Sequence, residues 1–255
     1  MSQNIGAESD NFSDTPHPKK SAGCWITGFI VLGIGVLLIG FLLPAVRSAR
    51  PAAYRAACAN NLKQIALALQ GYENAYHALP PAYTVDADGK PLHSWRTLIL
   101  PFLEQQPLYD TIDLSKPWND PANAIAYKMV VPVFHCPSAT CPEDHATYLA
   151  VVAPSGCFRH TEPRQLAEIS DGLPETLMVI EVSPEQSVHW MSPVDADEAL
   201  VLGLGPESKL SHQGRMNAAF CDGSVKFLHA DVPAEARRAL ISIAGNDRLS
   251  AIIDD

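Results

Sequence analysis

An uncharged apolar run near the N-terminus constrains the chain more than any other feature. Residues 24–43 read CWITGFIVLGIGVLLIGFLL and contain no charged residue and no proline. As a helix, this run would extend about 30 Å, the thickness of the hydrocarbon core of a bilayer. Two lysines precede the run, and Arg47 and Arg50 follow it. We predict a transmembrane helix over residues 21–46, with a buried core helix and a cleaved signal peptide as the alternatives.

The rest of the sequence divides into a polar tail and one domain. Residues 1–20 are mostly polar, and we expect a disordered tail there. Residues 47–255 are numerous enough for one domain with its own hydrophobic core. The formal net charge of −10 argues against nucleic acid as a partner, because an acidic surface repels phosphate groups. The sequence has no phosphate-binding loop, dinucleotide fingerprint or HExxH motif, and we predict no small-molecule cofactor.

A regular apolar spacing follows the predicted span. Apolar residues recur at steps of four and three, which is the pattern of one face of a helix. The members of this stripe are Cys58, Leu62, Ile65, Leu69, Tyr72 and Tyr76. The pattern ends near His77, before two consecutive prolines. We predict a long amphipathic helix whose stripe packs on a sheet.

The second half of the sequence is typical of β-structure. Residues 146–153 (ATYLAVVA) and 176–182 (TLMVIEV) are short runs rich in aliphatic and β-branched residues. A helix is predicted after Pro233, which is favoured at a first helical position. Helices followed by strands predict an α+β fold with an antiparallel sheet and short helices.

The clearest hairpin signal lies in residues 217–228. Asp222-Gly223 is a dipeptide favoured in two-residue type I′ turns, and apolar residues alternate on both sides of it. A two-residue loop here places Phe220 opposite Val225. The hairpin is thus predicted with a defined register.

The cysteines allow a disulfide, free thiols or a metal site. Outside the cytoplasm, a Cys136–Cys141 disulfide that closes a small loop is our first interpretation, and Cys58–Cys136 is the alternative. Two histidines accompany the Cys136–Cys141 pair in a loop-rich stretch, and four such side chains could hold zinc, although the spacing is not that of a standard knuckle. This group is His135, Cys136, Cys141 and His145. We predict the disulfide and no metal.

Ser211, His212 and Asp222 invite comparison with a catalytic triad. A triad requires a nucleophile within hydrogen-bond reach of its base. Adjacent serine and histidine side chains in an extended segment point apart, and the sequence has no Gly-x-Ser-x-Gly elbow. We therefore predict no catalytic residues, and a structural role for His212 and Asp222.

Two further groups of loop residues have a candidate ligand and a simpler explanation. Acidic loop residues can bind calcium, although they are more often only solvated. They are Asp113, Asp120, Asp195, Asp197 and Glu198. Tryptophans near prolines can form a ligand surface, although aromatic packing under loops is commoner. They are Trp95, Trp118 and Trp190.

Several segments together resemble a known bacterial family. They include ANNLKQIALALQGYENAYHALPPAY, VFHCPSA, ISDGLPETLMVIEV and SHQGRMNAAFCDGSVKFL. From about Leu42 to the C-terminus, the sequence resembles the DUF1559 family, a domain of unknown function that usually follows a prepilin-type N-terminus. Its hallmark is a histidine, nine residues and then Asp-Gly. In this sequence the hallmark residues are His212, Asp222 and Gly223.

The resemblance implies a pilin-like or pseudopilin-like fold. In such a fold, half of one long N-terminal helix lies in the membrane and the other half packs on an antiparallel sheet. It also implies a cytoplasmic N-terminus and residues 47–255 as an extracytoplasmic domain, although the arginines after the run favour the reverse orientation weakly. Family members begin with glycine and then Phe-Thr-Leu-Ile-Glu, whereas CWITG follows Gly23 here. Without the glutamate, we expect an uncleaved single-pass anchor in the inner (cytoplasmic) membrane.

The function expected from these features is non-enzymatic. We expect a membrane-anchored, pilin-like protein of the cell envelope with a structural or interaction role. Its partners would be the lipid bilayer and either like helices or secretion- or pilus-type assembly proteins. An anchored extracytoplasmic ligand-binding module is the alternative, and a hydrolase or metal-dependent enzyme is a more distant one.

Overall fold

The computed structural model describes residues 22–245, with side chains for residues 28–40 and 50–245. The expected polar tail lies outside the described residues, as do the side chains at both ends of the predicted membrane segment. Helix α1 extends over Ala22–Tyr76. Among the residues with described side chains, no helix is long and apolar enough to cross a membrane. The chain divides into two compact units at Ser48, and the architecture below is that of the second unit.

A five-stranded sheet forms the centre of the second unit, with the strand order β7-β4-β5-β8-β9. All neighbouring strands are antiparallel except β4 and β7, which are parallel. The strands are β4 (Tyr148–Val152), β5 (Leu177–Glu181), β7 (Ala196–Asp197), β8 (Arg215–Phe220) and β9 (Val225–His229). Together with α1, this sheet confirms a mixed α+β fold.

Smaller elements surround the sheet. Two short antiparallel pairs join β1 (Tyr83–Val85) to β2 (Pro91–Ser94) and β3 (His145–Ala146) to β6 (Val188–His189). The other helices are α2 (Trp95–Leu98), α3 (Gln106–Tyr109), α4 (Ala124–Tyr127), α5 (Glu198–Gly203) and α6 (Ala234–Ile241). The short helices that were expected are therefore present.

One face of the sheet shares a hydrophobic core with α1. Cys58, Leu62, Ile65 and Leu69 of the predicted stripe are fully buried there, which confirms the stripe over these turns. The stripe does not extend to Tyr76, whose side chain is 63% exposed. The last turn of α1 therefore reaches beyond the core.

The opposite face of the sheet packs against α5 and α6. Leu149 and Val151 of β4 point to this second core, where they join Val201 of α5 and Leu240 of α6. Because successive strand residues alternate between faces, a sheet covered on both sides is apolar throughout its strands. This double covering explains the continuous run ATYLAVVA.

The β8–β9 hairpin forms as predicted, but the predicted register is wrong by one residue. Val225 lies opposite Ala219 rather than Phe220. The Phe220 amide donates to the Ser224 carbonyl at 2.9 Å, so the loop contains three residues, Cys221 to Gly223. Gly223 has a φ of +80°, and its amide donates to the Phe220 carbonyl. This is the three-residue loop in which a left-handed glycine follows a tight turn, and it shifts the pairing.

Candidate functional site

The two ends of the His212–Gly223 motif lie at the two ends of β8. His212 occupies the turn before the strand, and Asp222-Gly223 forms the turn after it. At about 3.3 Å per residue, the six residues of β8 separate the two ends by roughly 20 Å. The motif is therefore not one compact site. Each end has its own contacts with α1 or with residues bonded to it.

At the first end, His212 contacts a disulfide and a carboxylate. Cys58 of α1 is bonded to Cys136, with 5.2 Å between their Cα atoms. The Nε2 atom of His212 lies 3.6 Å from Cys136 Sγ and 3.2 Å from Glu181 Oε1. The two cysteines are fully buried, and the side chains of Glu181 and His212 are 1% and 5% exposed. A cysteine pair, a histidine and a carboxylate therefore meet in the interior.

The disulfide differs from our first interpretation. Cys136 pairs with Cys58, which was the alternative, and Cys141 is a free cysteine. The physical reason is burial. Cys58 lies on the buried face of α1 beside Cys136, whereas Cys141 is partly exposed and its Sγ atom lies 3.9 Å from His135 Nδ1. The bond closes a loop of 78 residues instead of a small one.

Glu181 is held in place by neighbouring donors. Its Oε2 atom accepts hydrogen bonds from Asn217 of β8, at 3.2 Å from the backbone amide and 2.7 Å from Nδ2. Nearby, the Tyr148 hydroxyl donates to the Cys58 carbonyl at 3.3 Å. Burial raises the pKa of Tyr148 well above its usual range, and the Glu181 carboxylate raises it further. Tyr148 is therefore a neutral hydrogen-bond donor.

At the second end, α1 binds the backbone of the hairpin turn. The Lys63 ammonium donates to the Gly223 carbonyl at 2.6 Å, and Gln70 Nε2 donates to the Asp222 carbonyl at 2.9 Å. A Cβ atom added to Gly223 would lie 2.5 Å from Gln70 Nε2. The left-handed φ favours glycine in this turn, and a larger residue would also displace the end of the Gln70 side chain.

The triad residues do not converge. Asp222 accepts a hydrogen bond from the Ser224 amide at 2.8 Å and so shapes its own turn. His212 faces Cys136 and Glu181 at the other end of β8. The structural role that we expected for both residues stays a prediction.

A comparison with known families covers part of this region. Residues 47–154 match the model of a family described as a protein of unknown function, DUF1559. This match supports the DUF1559 family for the chain. No curated protein and no solved structure shows a significant match. The matched DUF1559 segment includes Cys58 and Cys136 and ends before Glu181, His212 and the Asp-Gly turn.

The zinc group considered from the sequence does not come together in the described part of the chain. His135 Nδ1 lies 3.1 Å from the His145 carbonyl oxygen, and His145 Nδ1 lies 3.1 Å from the Ser187 hydroxyl. Cys136 is bonded to Cys58. In the described part of the chain, the metal-type side chains that converge are Cys58, Cys136, Glu181 and His212, whose ligand atoms all lie within 4.8 Å of one another.

The acidic loop residues have separate structural partners. Asp195 is buried and accepts hydrogen bonds through Oδ1 from Arg96 at 2.7 Å, from Trp95 Nε1 at 2.9 Å and from the Ala150 amide at 2.9 Å. Burial raises the pKa of Asp195, and the Arg96 guanidinium opposes that shift. Asp113, Asp120 and Asp197 accept bonds from nearby backbone amides, and Glu198 pairs with Arg238. These contacts stabilise loops and helix starts.

The tryptophans belong mainly to the core. Trp95 and Trp190 are buried, and Trp190 Nε1 donates to the Met129 carbonyl at 2.8 Å. Trp118 is half-buried and stacks on Tyr127, at 5.8 Å between ring centroids. Of these three tryptophans, only Trp118 is partly accessible.

Sequence reasoning missed Glu181 and Asn217. Glu181 is the penultimate residue of the apolar run TLMVIEV, and a charged residue near the end of such a run is expected to mark the edge of a strand. In a strand that is buried on both faces, the same residue becomes an interior carboxylate that requires partners. The charged residue inside an otherwise apolar run was the sequence signal from which a buried carboxylate could have been predicted.

Proposed function

We propose that this protein is a single-pass, membrane-anchored, pilin-like protein of the cell envelope with a non-enzymatic structural or interaction role. The observation that carries the proposal is the position of the family motif. His212 lies against the disulfide of α1, and the Asp222-Gly223 turn accepts bonds from α1 side chains. The motif thus fastens the hairpin to the long helix.

The closed environment of His212 favours a non-enzymatic role. An enzyme needs an accessible cleft in which its reactive groups meet a substrate. His212 is 9% exposed, and Cys136 and Glu181, which it contacts, are more deeply buried. Asp222 is used by its own turn, about 20 Å away along β8. The alternative of a ligand-binding module is weakened because two of the three candidate tryptophans lie in the core.

The proposed anchor is the apolar N-terminal run, with its N-terminus in the cytoplasm. Large apolar side chains between Phe29 and Ile39 are 54% to 69% exposed, so this part of α1 offers an apolar surface. The Cys58–Cys136 disulfide supports an extracytoplasmic location for residues 47–255, because disulfides persist in oxidising compartments. An inner-membrane protein with a pilin-like outer domain accounts for both observations.

The proposed partners are like helices and assembly proteins. Glycines 28, 33, 35 and 40 have open space where a Cβ atom would lie, and small residues allow close packing of helices in membranes. A second exposed apolar surface lies at α4, where Ile125 is 68% exposed and Met129 is 47% exposed. Both surfaces favour an interaction role.

Membrane topology provides the first test. The full chain is expressed in a bacterium with a reporter that is active only outside the cytoplasm, fused at the C-terminus. We expect the chain in the membrane fraction, resistant to carbonate extraction, with an active reporter and an uncleaved N-terminus by mass. A chain in the soluble fraction, or an inactive reporter on a membrane-bound chain, would overturn the anchor or its orientation.

Self-association provides the second test. Gly33→Leu with Gly35→Leu should lower in-membrane cross-linking of the full chain, because larger side chains keep helices apart. Gly205→Leu is the matched control, since Gly205 also has open space beside it but lies in the outer domain. Equal cross-linking in the wild type, the double variant and the control would contradict the proposed interaction between like helices.

A further inference from the structure

We propose that Cys58, Cys136, Glu181 and His212 form a zinc site when the Cys58–Cys136 disulfide is reduced. These residues come from α1, from the loop before β3, from β5 and from the turn before β8. Their ligand atoms all lie within 4.8 Å of one another. The inference does not depend on the proposed envelope role, because it rests on this cluster alone.

The spacing of the cluster suits a tetrahedral ion. With metal–ligand bonds of about 2.0–2.3 Å, neighbouring ligand atoms of a tetrahedral site are about 3.3–3.8 Å apart. His212 Nε2 lies 3.6 Å from Cys136 Sγ and 3.2 Å from Glu181 Oε1. Small side-chain movements after the sulfur atoms separate would complete the tetrahedron.

The chemistry of the donors selects the metal. Two thiolates, one imidazole and one carboxylate are all ligands that zinc accepts, and four protein ligands are typical of a structural zinc site. Calcium and magnesium prefer oxygen ligands, so sulfur and nitrogen donors disfavour them. The site is therefore expected to hold a thiophilic divalent ion.

A disulfide alone does not account for the buried carboxylate. Glu181 is 1% exposed, and burying an ionised carboxylate is costly unless it is paired. Asn217 donates twice to Oε2, while Oε1 faces His212. These bonds orient the carboxylate in the way that outer-shell groups orient metal ligands. A divalent cation between Oε1, His212 and the two sulfurs would compensate the charge.

The disulfide and the zinc site exclude each other because they use the same two sulfur atoms. An external dithiol would reduce the bond: two electrons and two protons pass to Cys58 and Cys136, and the dithiol becomes a disulfide. Zinc then binds the two sulfurs as thiolates and releases both protons. An external disulfide would reverse the change: it takes two electrons from the thiolates and two protons from water, becomes a dithiol, and the re-formed Cys58–Cys136 bond releases the ion. His212, in the turn before β8, is the least buried of the four ligands, at 9% exposure.

Cobalt binding tests the proposal on the full chain in detergent under anaerobic conditions. The protein is reduced with a phosphine, which is then removed, and is titrated with Co²⁺ and afterwards with Zn²⁺. We expect one Co²⁺ per reduced chain, with the visible bands of a tetrahedral site and a thiolate charge-transfer band. Zn²⁺ should displace it, and the oxidised chain should bind none.

Variants identify the ligands. Glu181→Gln and His212→Gln should each weaken cobalt binding by at least about 10-fold and change the visible bands. Asn217→Ala should weaken it by about 10- to 100-fold, the usual effect of removing an outer-shell partner. Cys141→Ser is the matched control, because Cys141 is a free cysteine outside the cluster.

Three results would overturn the inference. The first is that the reduced wild-type chain binds no Co²⁺, whether circular dichroism shows it to be folded or unfolded. Another is a cobalt complex without the thiolate band. The third is loss of binding in Cys141→Ser as large as in Glu181→Gln. Because oxidised and reduced forms of one wild-type chain are compared, the test does not depend on whether a variant folds.

Discussion

The two faces of the central sheet are stabilised differently. The face shared with α1 contains a disulfide and the buried Glu181 and His212, and the buried ion pair of Arg96 and Asp195 binds the backbone of β4. The face against α5 and α6 is almost entirely aliphatic. Apolar contacts are non-directional, whereas hydrogen bonds and ion pairs demand specific partners. Contacts on the α1 face therefore require specific partner residues, whereas the other face is stabilised by apolar contacts that require none.

The largest expected difference between the faces concerns their buried arginines. Arg96→Ala should lower the free energy of unfolding by about 5 kcal/mol, because it leaves the Asp195 carboxylate buried and unpaired. Arg237, near the other face, binds the Ala230 and Leu202 carbonyls and, among the residues that the structure describes, no carboxylate. Arg237→Ala should therefore cost only about 2 kcal/mol. Denaturant unfolding of both variants measures the difference.

A double variant separates the ion pair from its packing. Arg96→Met combined with Asp195→Leu removes both charges, and should recover a large part of the loss in Arg96→Ala. If Arg237→Ala lowered the free energy of unfolding as much as Arg96→Ala, the two faces would not differ in the way described.

Reduction of the disulfide is the next largest effect. The bond closes a loop of 78 residues, and loop entropy predicts a stabilisation of about 4.5 kcal/mol. Cys58→Ala with Cys136→Ala should lower the free energy of unfolding by about that amount without added metal. Cys141→Ser should change it by less than about 0.5 kcal/mol, because Cys141 is free and partly exposed. Unfolding of the purified variants in denaturant checks both values, and equal effects would mean that Cys58 and Cys136 are not bonded.

The hairpin turn gives a smaller and well-controlled effect. Gly223→Ala should cost about 2 kcal/mol, since it combines a left-handed φ with displacement of the Gln70 side chain. Gly89→Ala is the matched control, because Gly89 has nearly the same φ, +79°, and nothing within 4 Å of its Cβ position. It should cost about 1 kcal/mol. Thermal unfolding compares the two, and identical losses would show that the contact with α1 is unimportant.

Much of the fold could be predicted from local patterns. The helical spacing of the apolar residues predicted the stripe from Cys58 to Leu69. The length of the two apolar runs predicted β4 and β5. The hairpin was also visible, but its register was not. Asp222-Gly223 is compatible with a two- or a three-residue loop, and only the pairing of Ala219 with Val225 distinguishes them.

The candidate site was much less predictable because it is assembled from distant parts of the chain. Cys58 and Cys136 are 78 residues apart, and nothing local marks them as a pair. His212 was identified by the family motif, yet its partner Glu181 looked like the polar end of a strand. Whether a strand is covered on one face or on both is a tertiary property. That property turned Glu181 into an interior carboxylate.

The smallest expected effect concerns pH and the histidines on the α1 side of the sheet. His189 Nε2 donates to the Tyr127 carbonyl at 3.0 Å, and Nδ1 accepts from the Met191 amide at 3.2 Å. Both contacts require the neutral ring, and burial lowers the pKa of His189, against the opposing effect of the nearby Asp144 carboxylate. Burial also lowers the pKa of His93.

A histidine whose pKa is lower in the folded state binds its proton more readily when unfolded. The stability that it provides is present above the unfolded pKa of about 6.5 and is lost as the pH falls below it. We expect the free energy of unfolding to fall by about 1 kcal/mol between pH 7 and pH 5, and less in His189→Gln than in the wild type. The pKa values of Asp113 and Glu168 are also lowered in the folded protein. These two carboxyl groups affect stability mainly below this pH range, because unfolded carboxyl groups titrate near pH 4. His160→Gln, at an exposed position, is the control. If His189→Gln kept the full wild-type slope, His189 would not be a neutral, buried ring in the folded protein.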